Sequence, residues 1–298
     1  MVRFNQLFHY CLILTLITLI LSSCTKKEVE IESGKGQEHQ RLFNIAYGEG
    51  LRKQMDVFLH EDRSPNKPFL IFVHGGSWAF GSKLLLGGLQ EDMLQKGYSS
   101  ASINYSFVGP ATNYTHLLND LKAAVDELQK QSSTWNIPKE QYMIIGHSAG
   151  AHLSLLFGYS IQNGKDIKGI VSLAGPTDFT NEALVKAMIA NKHPLLNLIE
   201  LMVGKPVNRQ NPIPLPDEYK AASPAYQIKH LVPTLIIHGK KDETVHMSQA
   251  TTLATALKAK KVNHEIIMLD ADHSLGLFDG KDPHKISNQM FNWIEKIK

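Results

Sequence analysis

The order of apolar segments along this chain predicts an α/β fold: one mostly parallel sheet with helices on both faces. Five runs, "FLIFVH" (69–74), "QYMIIG" (141–146), "IKGIVSLAG" (167–175), "PTLIIHG" (233–239) and "HEIIMLD" (264–270), are apolar with little alternation. Strands covered on both faces have that composition. Segments of helical period accompany them at 115–131, 149–159, 247–261 and 285–298. Such alternation builds parallel sheets, whose reactive groups sit at the carboxyl ends of the strands. The third observation is "MIIGHSAGAHLSLL" (143–156), which passes from strand to helix through Gly146, Ser148 and Gly150. A sharp turn with little bulk at both flanks thrusts its central hydroxyl into the open.

The start of the chain differs from the rest. Arg3 precedes the uncharged stretch "LFHYCLILTLITLILSS" (7–23), and Cys24 is followed by "TKKEVEIESGKGQEHQR". A short apolar region closed by small residues and then polar chain reads as an export signal. Leu21-Ser22-Ser23-Cys24 resembles the bacterial lipoprotein cleavage box. That resemblance implies a signal peptide over 1–23, a lipid on Cys24 and anchorage to a membrane of the bacterial cell envelope. Residues 24–40, rich in Glu, Lys, Gln and Gly, read as a flexible tether. With Cys11 removed and Cys24 lipidated, the mature chain keeps no thiol for a disulfide. The remaining domain, 41–298, is long enough to bury a core without one.

The other elements follow in order. "LFNIAYG" (42–48) and "QMDVFLH" (54–60) read as two early strands around a glycine turn, and "EDRSPNKP" (61–68) as a loop. "YSSASINY" (98–105) is a weaker strand. Between 178 and 222 the rhythm breaks: "NEALVKAMIANKHPLLNLIELMVGKP" is helical and "NRQNPIPLPDEYK" proline-rich. This segment is expected to be an insertion over the strand ends, a lid or substrate wall. Net charge is +3 over 298 residues, with acid and base interspersed. Lys258, Lys260 and Lys261 fit a solvated helix end, and no nucleic-acid motif is present.

A serine hydroxyl is a poor nucleophile near neutral pH. It needs a histidine to take its proton, a carboxylate to orient that histidine, and N–H donors for the oxyanion. "HGGSW" (74–78) follows the first long buried strand, and its two glycines let backbone approach a substrate closely. "GSWAFGSK" is close to a phosphate-binding loop, but its last two residues are reversed and Trp78 and Phe80 crowd it. After the next-to-last strand stand Asp242 and its neighbour Glu243. After the last strand stands His273, flanked by Asp270 and Asp272. His246 and His264 fall on or beside helix and strand starts, and His74, His147, His152 and His238 read as loop, packing or supporting residues. The order Ser148, acid, His273 is the one nucleophile-elbow hydrolases use.

"HGGSW" after a strand, then "GHSAG" about seventy residues on, resembles the α/β-hydrolase superfamily. Within it the chain is similar to small esterases with an H-G-G-x-W loop, related to hormone-sensitive lipase, kynurenine formamidase and feruloyl or acetyl esterases. The likeness runs from about Asn44 to the C-terminus, through "MDVFL" and "SPAYQIKHLVPTLIIHGKKDETV". It implies Asp242 as the triad acid, since H-G-x-x-D-x-x-V is that family's spacing. It also implies an oxyanion hole from the N–H groups of Ala149, Gly76 and Ser77, with Trp78 in the substrate pocket.

The expected function is therefore hydrolysis of carboxylic esters through an acyl-enzyme on Ser148, with no cofactor and no metal. The substrate is a small or polysaccharide-linked ester of acetyl or feruloyl type. Trp78, Phe80, Met188, Ile189, Leu195, Leu196 and Leu198 are expected to narrow the pocket and favour short acyl chains. Amidase or formamidase, peptidase and lipase are the alternatives on the same fold.

Overall fold

The computed structural model describes residues 38–161, 166–278 and 284–298. The expected signal peptide, Cys24 and the tether up to residue 37 lie outside them. The described strands are β1 (Gln40–Ala46), β2 (Gln54–Leu59), β3 (Phe69–Val73), β4 (Ser100–Ile103), β5 (Tyr142–His147), β6 (Ile167–Leu173), β7 (Thr234–Gly239) and β8 (His264–Leu269). They form one sheet in the order β1-β2-β4-β3-β5-β6-β7-β8. β2 pairs antiparallel with β1 and β4, and every pairing from β4 to β8 is parallel.

The long apolar runs sit at the centre because both their faces are covered. In β3, Phe69, Ile71 and Val73 enter one core while Leu70 and Phe72 enter the other. β5 divides likewise, with Tyr142 and Ile144 on one side and Met143 and Ile145 on the other. Strand side chains alternate between faces, so a strand inside a three-layer fold must be apolar throughout. Each fully buried Leu, Ile or Phe contributes roughly 1.5–3 kcal/mol.

The helices supply the two outer layers. The first core holds Leu117 and Leu121 of α2 (Tyr114–Trp135), Leu153 of α3 (Ala149–Leu156) and Leu253 of α7 (Ser248–Ala259). The second holds Met93 of α1 (Gly87–Gln95) and Met290 and Trp293 of α8 (His284–Ile297). α1 has no counterpart among the elements expected from the sequence; packing against α8 makes it a helix. α2 runs four residues past the expected 131, to Trp135, where Asn136 ends it in the left-handed conformation. Asn can adopt that conformation at modest cost.

The insertion between β6 and β7 holds three helices, α4 (Glu182–Ala190), α5 (Leu195–Val203) and α6 (Asp217–Ala221). The helical stretch read from 181 to 206 is broken before Pro194, whose ring and missing N–H oppose helix continuation. Among the described residues no helix is long and apolar enough to cross a membrane.

Candidate active site

The turn at the end of β5 is built around close approach. Ser148 has φ 53° and ψ −120°, a strained conformation for a residue with a side chain. Its N–H continues the sheet by donating to the Leu173 carbonyl at 2.8 Å. A Cβ on Gly146 would run into the backbone of Gly150, and one on Gly150 into the carbonyls of Val73 and His74. Both glycines are thus dictated by backbone contact, and the serine between them is left facing a cleft.

His273 meets that serine. Its Nε2 lies 2.9 Å from Ser148 Oγ, and its Nδ1 lies 2.7 Å from Asp242 Oδ2. Asp242 is buried, whereas His273 keeps 21% side-chain exposure. Burial alone would push the Asp242 carboxyl up. Hydrogen bonds from His238, His273 and the Val245 N–H outweigh it and hold the carboxyl well below the usual range. The structure brings together Ser148, His273 and Asp242, and not their sequence competitors. Glu243 is exposed, Asp270 pairs with Lys241, and Asp272 accepts from the Ser274 N–H on its own loop. His246 is engaged with Ser248, and His264 with the Val262 carbonyl.

The glycine loop lies against the serine. A Cβ on Gly75 would stand 2.8 Å from His147 Nδ1 and 3.2 Å from Ser148 Cβ. Gly76, Ser77 and Trp78 all have positive φ, at 118°, 48° and 61°. Arg52 secures the loop by donating to the carbonyls of Tyr105 (2.7 Å) and Gly81 (3.2 Å) and to His74 Nε2 (3.3 Å). Arg has no acceptor, so His74 carries its proton on Nδ1 and donates to the Gly75 carbonyl at 2.6 Å. Burial lowers His74 to about 4, keeping the ring neutral.

Trp78 points inward. Its indole N–H donates to His152 Nδ1 at 3.0 Å, and His152 Nε2 donates to the Ala222 carbonyl at 2.8 Å. Phe179 packs edge-on against both rings. His147, beside the serine, donates from Nε2 to the His273 carbonyl at 3.0 Å and braces the loop that carries it. Burial lowers His147 and His152 to about 4 as well.

Beside Ser148 opens a cavity of about 510 Å³. Ser77, Trp78 and Ala149 line it, with Phe179, Leu184, Val185, Met188, Leu195, Leu196 and Ile199 on the insertion side. Glu243, Thr244, Val245, His246, Ser248 and Gln249 form the opposite wall. Gln249 clamps the rim, accepting from the N–H groups of Thr177 and Asp178 and donating to the Asp178 carbonyl. Ala149 opens α3, so its N–H has no partner within the helix and is available to a ligand. Gly76 is not on the cavity wall. Of the residues expected to narrow the pocket, Trp78, Met188, Leu195 and Leu196 line the cavity, whereas Phe80 is 63% exposed and Ile189 and Leu198 are not on its wall.

One group among the described residues has the donor set for a metal, His39, His60 and Glu61. It lies where β1 begins and β2 ends, beside the amino-terminal end of β4, whereas Ser148 follows the carboxyl end of β5. The Nδ1 atoms of its two histidines already accept from the N–H groups of Glu61 and Asp62.

This serine–histidine–carboxylate chain, set at a strained strand–helix turn beside a glycine loop, has the arrangement of an acyl-transfer site. The family profile of BD-FAE matches residues 55–257, from β2 into α7. The chain belongs to the BD-FAE family. The chain is 25% identical over 261 residues to esterase LipC of Mycobacterium tuberculosis, covering 81% of this chain and 61% of that protein. It is 32% identical over 117 residues to kynurenine formamidase of Danio rerio, covering 39% and 38%. The chain thus spans less than two thirds of the length of these relatives. A solved structure described as a truncated carbohydrate esterase from gut microbiota superposes with a TM-score of 0.70 at 19% identity, covering 88% of this chain and 99% of that one. This BD-FAE member shares with it the α/β-hydrolase fold.

His147 and His238 were expected only as loop, packing or supporting residues, and Arg52 and Gln249 were not expected at the site. His147 and His238 had a signal, since each lies in the same short motif as a triad residue. Arg52 and Gln249 had none, because their partners are remote in the chain.

Proposed function

We propose that this protein hydrolyses carboxylic esters by acyl transfer through Ser148. The continuous hydrogen-bonded line from Ser148 Oγ through His273 to Asp242 carries the reading. His273 takes the Ser148 proton as Oγ attacks the acyl carbon, and Asp242 steadies the imidazolium that forms. The N–H of Ala149 and the Ser77 region of the glycine loop hold the oxyanion. His273 then protonates the departing alcohol and draws a proton from the water that releases the acid.

The cavity lies on the Ser77–Ala149 side of Ser148 and His273 is not among its lining residues, so it receives the acyl group. Cavities of roughly 300–1,000 Å³ enclose drug-sized ligands. At about 510 Å³ this one suits a bulky acyl group of feruloyl type better than acetyl, which would leave most of it unfilled. The alcohol side lies towards the partly exposed His273, which leaves room for a polysaccharide.

A panel of p-nitrophenyl esters, a feruloyl ester, acetylated xylan and N-formylkynurenine, run with the parent protein and Ser148→Ala, tests the reading. Ester turnover that vanishes in Ser148→Ala supports it. Turnover of N-formylkynurenine alone would make the protein a formamidase. Lipid anchorage through Cys24 belongs to the same proposal: Cys24→Ala should release the protein from the membrane fraction or leave its precursor uncut.

A further inference from the structure

Asp242 accepts hydrogen bonds on both oxygens. Oδ1 takes the N–H groups of Val245 at 2.7 Å and Thr244 at 3.0 Å. Oδ2 takes His273 Nδ1 at 2.7 Å, and His238 Nε2 stands 3.3 Å from the same oxygen. His238 stands on β7 and is fully buried. Its Nε2 also lies 2.7 Å from the Val245 carbonyl. Both neighbours are acceptors, so Nε2 carries the proton and Nδ1 is a bare lone pair, which finds no partner. A buried, unsatisfied nitrogen is a cost that an apolar side chain would avoid. What accounts for an imidazole here is its one donor, Nε2–H, which bonds the Val245 carbonyl and leans on Asp242 Oδ2.

We propose that His238 tunes the proton affinity of His273 through the carboxylate they share, a role that rests on the hydrolase reading above. A donor on Oδ2 spreads the Asp242 charge and weakens its hold on the imidazolium form of His273. His273 then releases its proton to the departing alcohol more readily, and stays a free base at lower pH. The other ionisable groups facing the pair do not share this task. His147, with its ring 5.2 Å from that of His273, donates to a backbone carbonyl. Asp272, on the His273 loop, is exposed and accepts from Ser274. His246 and Glu243 lie on the exposed side of the turn.

The test compares three substitutions at this position. His238→Leu removes the donor. His238→Asn supplies an amide that is too short to reach Asp242, whereas His238→Gln puts an amide nitrogen near the place of Nε2. In the Leu and Asn proteins the acidic limb of the kcat/KM profile should move to higher pH by about half a unit, roughly threefold in rate below the limb. KM should not change, because His238 does not touch the cavity, and Gln should restore the parent limb. NMR titration of the His273 ring in the same proteins should move in parallel and needs no turnover. An unmoved limb in folded Leu or Asn protein, or a Gln protein that shifts as far as Leu, overturns the proposal. If none of the three folds, His238 is a structural residue and the proposal fails. A parent that turns over no ester while its His273 titration still responds to position 238 would sink the hydrolase reading and leave this coupling standing.

Discussion

The indole N–H of Trp78 and Nδ1 of His152, 3.0 Å apart, tie the glycine loop to the helix that begins beside Ser148. His152→Leu would break that tie and leave the buried indole N–H without an acceptor. The expected cost is about 2–4 kcal/mol of stability, with kcat/KM for bulky esters down roughly tenfold. Urea unfolding and ester kinetics on one preparation measure both. Unchanged kinetics in a destabilised variant would mean that the bond holds the fold and not the loop.

Ser148→Ala and His273→Ala should each lower kcat on the order of 10⁴-fold without unfolding the protein, and Asp242→Asn should be severe. Glu243→Gln, at the exposed neighbour, should stay within about twofold of the parent. Retained activity in Asp242→Asn would place the acid elsewhere.

Gly75→Ala adds a methyl group 2.8 Å from His147 Nδ1 and 3.2 Å from Ser148 Cβ. The loop or the serine must shift, and displacement on that scale should lower kcat about 10²-fold. Thermal unfolding should move little, since the strain is local. A parent-like kcat would show that the loop can yield without harm.

Stability should fall as the medium is acidified from about pH 6.5. His74, His147 and His152 are each lowered to about 4 by burial, against an unfolded value near 6.5. The folded state therefore binds fewer protons than the unfolded one between those limits. Stability is full above about pH 6.5, declines as pH falls towards 4, and this loss levels off below. With three such rings the slope near pH 5 should reach about 4 kcal/mol per pH unit. Asp242 acts over a different range: its depressed value stabilises the fold above the usual carboxylate range, and that part goes only as pH falls further. Urea unfolding at half-unit intervals measures the slope, and His152→Gln should reduce it by about one proton.

The acyl-chain series should rise beyond butyryl, gaining up to about 0.8 kcal/mol per methylene buried in the cavity. Met188→Trp, which narrows the cavity from the insertion side, should reverse that preference while sparing acetyl esters. A series that peaks at acetyl in the parent would show that the cavity is closed to substrate.

Most of the sheet was legible because its central strands are covered on both faces, which forces apolar runs such as Phe69–Val73. Ser148 and His273 were legible because each follows a strand in the order the fold requires, whereas Asp242 was told from its neighbour Glu243 only by the family spacing. α1 was not legible, since its amphipathic face is short and starts with two glycines. The width of the cavity was not legible either. Trp78 and Phe80 are two residues apart, yet one is buried over His152 and the other faces solvent. Loop residues have no fixed period, and the contacts that hold Trp78 inward, with His152 and Phe179, come from parts of the chain remote from the loop.

Ser148, Asp242 and His273 follow three different strands, β5, β7 and β8, while one contiguous stretch between β6 and β7 supplies most of the apolar lining of the cavity beside them. Chemistry and selectivity are therefore separable modules here. Exchanging that stretch between relatives would hand this scaffold a new appetite while its reaction centre stayed untouched, and a lineage could diversify its diet by the same route.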